Sequence, residues 1–448
     1  MMLILPDAIQ KALNILKNNN FEGYLVGGSV RDYLLEKSPT DFDITTNATP
    51  EQMLEVFQAY RVIETGMKHG TLTVIIDHLR LEITTYRIDG EYIKNRKPEN
   101  VTFTTNLKDD TARRDFTMNS IAYNPVERFV DYFNGTDDIK NRIIRCVGDP
   151  EKRFEEDALR ILRALRFSSV LGFSIDEQTE NAMYNKKELL LNISAERIAA
   201  ELFKLLCGDY VKDVLLKYID ILGIVIPELL PMKGLLQNNP YHKYDVWTHT
   251  VLAVETIVKE PYMKLAALLH DSGKPYTYKE DEKKIGHFKG HVEVSQRIAA
   301  DIIQRLKLNN ITKHKVLTLI KYHDTTINPD RIAIKKWFNK LSPELFADLL
   351  EMKRADGAAK GGKLSKRDIM LTEVNQITGQ LMAENVCWSL SKLAVTGNDL
   401  IETGITEGKK IGDTLDKLLE AVIEEKVENE EAELLKFIGE KIETNNLY

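Results

Sequence analysis

Only three cysteines occur in 448 residues, Cys146, Cys207 and Cys387, and no CxxC spacing joins them. Neither a disulfide framework nor a zinc ribbon can be built from them, and each is expected to be buried as a small apolar side chain. No apolar run reaches membrane-spanning length, and the opening MMLILPDAIQ lacks the basic flank, long apolar stretch and small-residue cleavage site of a secretory leader. The expected address is the cytoplasm, with no membrane partner. Net positive charge is missing too: the formal value of -7 excludes a protein that coats nucleic acid through a broadly cationic surface. Locally basic stretches are visible at YIKNRKP, TARRDF, DIKNRIIR and AAKGGKLSKR. Internal repeats and low-complexity tracts are absent, whereas 43% hydrophobic and 29% charged residues describe a globular chain long enough for several domains.

Up to about residue 143, β-rich runs alternate with helical ones. GYLVGG reads as a strand, SVRDYLLEK as a short helix and FDIT as a second strand. NATPEQMLEVFQAY reads as a helix whose start is marked by Thr49 as N-cap, Pro50 at the first helical position and Gln52 completing a capping box. TLTVIID and LRLEITTY read as paired strands joined around DHL. From FEEDALRILRALRF onward apolar residues recur at helical spacing and strand signals largely vanish. The picture is an α/β head on an all-helical body with an acidic helical tail.

Within the head, the stretch YLVGGSVRDYLLEKSPTDFDI carries chemistry. Residues two apart on a strand share a face, so Asp41 and Asp43 aim two carboxylates at one place. Such a pair suits Mg²⁺, which takes one or two carboxylates plus substrate phosphates. Gly27 and Gly28 allow close backbone approach where a strand hands over to a helix N-terminus, and Arg31 adds a donor for phosphate. Either feature alone also occurs in ordinary turns and surface loops; their combination points to nucleotidyl transfer.

LVGGSVRD, DFDI, RRDFTMNSIAYN, DYFNGTDDIKNRIIR and RFEEDALRILRALRF, in this order, resemble the class II tRNA nucleotidyltransferases. These are the CCA-adding enzymes and bacterial poly(A) polymerases of the polymerase-β superfamily. Ser120 and Ile139 depart from the family's usual alanine and leucine. The resemblance implies an α+β fold: a polymerase-β-like head with a mixed sheet over 1–143, a helical neck over 144–235, an HD-type body over 236–370 and a helical tail over 371–448. It implies Asp41 and Asp43 as metal carboxylates, Gly28 and Arg31 as triphosphate contacts, and Arg114 and Asp115 as nucleotide contacts, with Asp115 able to accept from a ribose hydroxyl. Glu82 is a candidate third carboxylate or an ordinary exposed strand glutamate.

The family selects C and A with side chains in place of a template. Both bases present an amino donor beside a ring-nitrogen acceptor, and G and U reverse that order. A carboxylate beside a guanidinium therefore accepts the first pair and mismatches the second. Asp157 and Arg160, three apart on a helix, are expected to form that pair. Arg163 is expected to contact the ligand. Arg166 is expected nearly opposite Asp157 by helical phase and is carried on resemblance alone; a solvated face with Glu156 paired to Arg160 is the alternative for the stripe.

TTYRIDGEYIKNRKPENVTF matches, by the same resemblance, a segment kept by A-adding members. The acidic tail argues against a poly(A) polymerase, which must hold a growing RNA. CCA addition to the tRNA acceptor end from CTP and ATP is the leading reading; A-only addition, polyadenylation and phosphoester hydrolysis are alternatives, and no obligatory protein partner is inferred. The last arises from the C-terminal half, where WTHTVLAVE, LAALLHDSGKP and IKYHD resemble the HD phosphohydrolases. That resemblance implies a divalent transition metal or Mg²⁺ on His249, His270, Asp271 and Asp324, with His291 and His323 serving a second metal or substrate phosphate.

Overall fold

The computed structural model describes residues 3–39, 41–90, 92–93, 97–98, 101–361 and 366–443. The chain forms two compact units, Met1–Leu230 with Gln304–Leu308, and Pro231–Ile303 with Asn309–Tyr448.

The first unit opens with helix α1 (Asp7–Asn18), strand β1 (Gly23–Val26), the two-turn α2 (Gly28–Leu34), β2 (Asp43–Thr46), α3 (Pro50–Val56), β3 (Arg61–Ile63), β4 (Thr71–Ile76) and β5 (Leu79–Thr85). Short strands β6 (Arg87–Asp89), β7 (Tyr92–Ile93), β8 (Lys97–Pro98) and β9 (Val101–Phe103) follow, pairing β6 with β9 and β7 with β8. The basic segment expected to serve A addition falls here, and its residues 91, 94–96 and 99–100 lie outside the described residues. Then come α4 (Leu107–Ala112), β10 (Ala122–Asn124), β11 (Arg128–Val130) and α5 (Gly135–Lys140).

One seven-stranded sheet, ordered β11-β10-β1-β2-β5-β4-β3, organises the head. Its pairs are antiparallel except β2 with β5, which makes the sheet mixed. In β4, Leu72, Val74 and Ile76 are buried and alternate with half-buried residues, the period of a strand with one core face. Asp77 and His78 form the β4–β5 connection, both with positive φ, as a two-residue hairpin turn requires. The α3 start is built as its sequence suggests: Gln52 N donates to Thr49 Oγ1, and Thr49 N donates to Gln52 Oε1 at 2.9 Å.

The neck comprises β12 (Ile143–Ile144), α6 (Pro150–Glu156), α7 (Leu159–Leu171), β13 (Ser174–Ile175), α8 (Glu177–Lys186), α9 (Ala195–Leu206) and α10 (Val211–Val225). It is not wholly helical, because β12 and β13 form a short parallel pair. Nor is FEEDALRILRALRF one helix. Asp157 is extended (φ -137°, ψ 99°) and its Oδ1 accepts the Leu159 N–H at 3.2 Å. A short carboxylate thus captures the backbone donor that a continuous helix would use, and the chain breaks into α6 and α7.

The second unit holds α11 (Val246–Thr256), α12 (Pro261–Leu269), a ribbon of β14 (Lys279–Glu280) and β15 (Gly286–His287), α13 (His291–Arg305), α14 (Asn310–Tyr322), α15 (Arg331–Leu341), α16 (Pro343–Ala359) and α17 (Lys366–Ala383). The tail helices α18 (Gly397–Glu402), α19 (Gly408–Ile423) and α20 (Glu431–Glu443) close over Leu400, Leu418, Leu434 and Ile438. AAKGGKLSKR lies partly outside the described residues, at 362–365. Cys146 and Cys387 are buried as expected, but Cys207, where α9 ends, is only half-buried.

Candidate functional site

Strand register builds the head site. Because β2 and β5 run parallel with Asp43 opposite Glu82, these two carboxylates stand side by side on the sheet face away from Ile44 and Ile83, which are buried. Asp41 lies just before β2 and, with Asp43, lines a cavity of about 380 Å³. Protein packed around Asp43 raises its carboxyl above the ordinary range; Arg114 opposes this and Asp41 adds to it. Glu82 is raised by the same desolvation and by the charges of Asp43 and Asp41. Carboxylates that raise one another are a site that a divalent cation would relieve.

Gly27, Gly28, Arg31, Arg114, Asp115, Arg163, Arg166 and Phe167 also line this cavity. The Phe167 ring is a platform for three guanidinium groups, with Arg166 at 4.0 Å, Arg31 at 5.0 Å and Arg163 at 5.4 Å from its centre. Arg31 Nη1 donates to Asn119 Oδ1 at 2.9 Å, and its other nitrogens donate to Asp32. Asp115 is buried, accepting from Asn119 at 2.9 Å and from Arg163 Nε at 2.7 Å; despite desolvation, Arg163 and these bonds hold its carboxyl well below the usual range. Burial brings Arg166 down to about 10 against the pull of Glu201, which lies 3.0 Å away. Gly27 has φ +75°, and a Cβ there would meet Arg114 Nη1 at 3.1 Å. Gly27→Ala therefore carries about 1–3 kcal/mol of backbone strain and crowds the arginine. Initial rates of ATP incorporation are expected to fall about tenfold or more, with only a small change in melting temperature.

Residues 23–145 match the Poly A polymerase head domain family, 172–232 the probable RNA and SrmB-binding site of polymerase A, and 276–438 the tRNA nucleotidyltransferase domain 2 family. The CCA-adding enzyme of Lactobacillus helveticus is 33% identical over 450 residues, covering 97% of this chain and 98% of that protein. The chain belongs to the CCA-adding enzyme family. The crystal structure of the Bacillus stearothermophilus CCA-adding enzyme in complex with CTP superimposes with a TM-score of 0.69 at 29% identity, over 98% of this chain and 99% of that one. The Thermotoga maritima CCA-adding enzyme complexed with tRNA, 20% identical over 97% and 96% of the two chains, shares the fold at a TM-score of 0.56.

In this family member the expected Asp157–Arg160 pair gives way to other partners. Asp157 is gripped by Arg197 of α9, while Arg160, buried, donates to Glu156 at 2.8 Å and to the backbone carbonyls of Arg153 and Arg113. Glu156 thus pairs with Arg160 as the solvated-face alternative anticipated, but in a buried setting. Arg166, carried on resemblance alone, lines the cavity with Arg163, three residues earlier on α7, whereas Asp157 and Arg160 are not among its lining residues. Phe167, Asn119, Arg197 and Glu201 were not singled out by sequence; the last two stand four apart in NISAERIAAELFKLL, a spacing that was the available signal.

The body brings its own cluster together. His249 Nε2 lies 3.3 Å from Asp271 Oδ2 and 3.1 Å from Asp356 Oδ1, and His270 Nε2 lies 3.1 Å from Asp271 Oδ2. Asp324 is exposed and lines the adjoining cavity, while the carboxylate that reaches His249 is Asp356 of α16, which is buried. The reason is tertiary: α16 packs against α11 and α14 and carries Asp356 into the cluster. His291 and His323 approach Asp271 Oδ1 at 3.6 and 3.9 Å. His287 pairs instead with Asp281 at 2.9 Å. The Nδ1 atoms of His270, His291 and His323 each lie 2.7–2.9 Å from a backbone carbonyl, which can only accept, so in the neutral imidazole each Nε2 carries the lone pair. His249 Nε2 and His270 Nε2 are buried and converge on Asp271 Oδ2, an imidazole and carboxylate donor set that fits a divalent cation. Lys274 at 2.7 Å from Asp271 and Lys360 at 3.0 Å from Asp356 add positive charge to the adjoining cavity of about 620 Å³.

Proposed function

We propose that this chain is a cytoplasmic enzyme that rebuilds the CCA terminus of tRNA from CTP and ATP, releasing pyrophosphate. The observation that carries the reading is the Asp43–Glu82 register, which sets paired carboxylates beside a cavity lined by Arg31, Arg114, Arg163 and Arg166. Asp41 and Asp43, with Glu82 alongside, would hold Mg²⁺, which when bound supplies a more acidic 3′-hydroxyl and neutralises charge on the reacting phosphate. The arginines and Gly28 bind the triphosphate, Asp115 orients Arg163, and Asp157 with Arg160 reads the base edge. The 3′ oxygen attacks the α-phosphorus in line, and the bond to the β-phosphate breaks. The neck, 144–235 in our division, positions the acceptor arm by shape and phosphate contacts; the match of 172–232 to an RNA-binding description supports this. The head occupies 1–143, the body 236–370 and the tail 371–448.

Purified protein supplied with Mg²⁺, CTP and ATP should extend a tRNA transcript ending at the discriminator base to a full CCA end. Addition of a single A to a CC-ended transcript alone would make it an A-adding enzyme, and runs of A would make it a poly(A) polymerase.

A second reading concerns the body, where the buried, convergent side chains of His249, His270 and Asp271 favour a divalent metal held with Asp356. Such an ion supplies an activated water for phosphoester hydrolysis, and Lys274 and Lys360 beside the cavity suit an anionic substrate.

A further inference from the structure

Two base-reading groups of opposite charge set close together have a weakness: left alone, they neutralise each other and present nothing to a nucleobase. In this structure each is engaged by its own counter-ion. The Arg197 guanidinium grips Asp157 as a fork, Nη1 to Oδ1 at 3.2 Å and Nη2 to Oδ2 at 2.7 Å. Arg160 Nη1 donates to Glu156 Oε2 at 2.8 Å and to the Arg153 carbonyl at 3.1 Å, and Nη2 donates to the Arg113 carbonyl at 3.0 Å.

One turn further along α9, Glu201 is buried, 3.0 Å from Arg166 Nε and 3.8 Å from Arg163 Nη1. Opposite charges four apart on a helix ordinarily face each other. Here Arg197 and Glu201 both reach across to the segment from Asp157 to Arg166, so one helix face supplies counter-charge to the base-reading end and to the arginines of the cavity.

We propose that Arg197 is a specificity-determining positioning residue, which holds Asp157 turned from Arg160 so that the carboxylate presents acceptors to the amino group of cytosine or adenine. An ionised carboxylate has about four acceptor positions, so the fork and the Leu159 N–H together orient it without exhausting it. Without the fork the carboxylate is drawn to Arg160, and the acceptor–donor order that separates C and A from G and U closes into an internal ion pair. The inference rests on the reading that Asp157 and Arg160 address the base.

The test uses the full chain with Arg197→Ala, Arg197→Lys and Asp157→Asn, measuring single-nucleotide extension of a tRNA transcript with CTP and with UTP. The readout is the ratio of kcat/KM for the two nucleotides, with melting temperature as the check on folding. For Arg197→Ala the ratio should fall at least about tenfold, chiefly through a higher KM for CTP. Arg197→Lys keeps the charge and loses the fork, so its ratio should be intermediate. Asp157→Asn should lower the ratio as well. A lowered ratio for Asp157→Asn with an unchanged one for folded Arg197→Ala would overturn the positioning role and leave the base-reading role standing. An unchanged ratio for Asp157→Asn would remove the base-reading role and the inference with it. Equal losses of rate with CTP and UTP in Arg197→Ala would reduce Arg197 to a purely structural residue. Should Arg197→Ala fail to fold, the Arg197→Lys ratio decides: a fall supports the role, and no change overturns it.

Discussion

Asp41→Ala and Asp43→Ala should each lower nucleotide incorporation by about three orders of magnitude, because several kcal/mol of charge stabilisation at the reacting phosphate would go with the metal. The fold should not suffer. Asp43 and Glu82 have carboxyls raised by desolvation and by their acidic neighbours. A raised carboxyl disfavours the ionised form in the fold, so these groups cost stability at neutral pH, and that cost is relieved as the pH falls through their folded values. Without divalent ions, Asp43→Ala should therefore melt at the same temperature as the parent or higher, measured by calorimetry at pH 7. A variant that loses activity only in proportion to a lowered melting temperature would speak against a metal-holding role. Loss of activity in Asp43→Ala with retention in Asp41→Ala would contradict a shared metal.

Asp356→Ala should weaken binding of Ni²⁺ or Mn²⁺ to the metal-stripped protein by about 100-fold or more, beyond what loss of a supporting group around a metal costs. Asp324→Ala, at an exposed position, should leave it within about twofold. Titration calorimetry in excess Mg²⁺ separates this site from the head. Equal effects of the two substitutions would remove Asp356 from the ligand set. The metal-free cluster also predicts a pH profile. Burial opposes charge on His270, but Asp271 and Asp356 carry its pKa from 6.5 up to about 9. Its stabilising contribution is full below pH 6.5 and is lost as the pH rises to about 9. His323, lowered to about 3 by burial and by the His270 charge, acts in the other direction, and stability is lost as the pH falls below 6.5. The metal-free melting temperature should thus decline between pH 6.5 and 9, and less steeply in Asp356→Ala.

Local patterns reached far into this protein. Strand alternation in TLTVII, the Thr49–Gln52 capping box and the two-residue turn at Asp77 are each decided by neighbours within a few positions, and all appear in the structure. The DFD spacing likewise anticipated Asp41 and Asp43 at one cavity, although the strand itself begins only at Asp43. Helical phase was a weaker guide. Counting from Asp157 assumed one unbroken helix, and a side-chain hydrogen bond to the backbone at Asp157 ended that helix first.

By itself, then, the sequence determined the chemistry-bearing motifs and their order, because these depend on residue type and short-range spacing. Tertiary structure alone decided which charges meet. Asp157 took Arg197, Arg160 took Glu156, and His249 of the body cluster met Asp356 of α16. A charged side chain taken out of water settles on the nearest counter-charge with good geometry, and at these sites distant segments supply much of it through the way the helices pack.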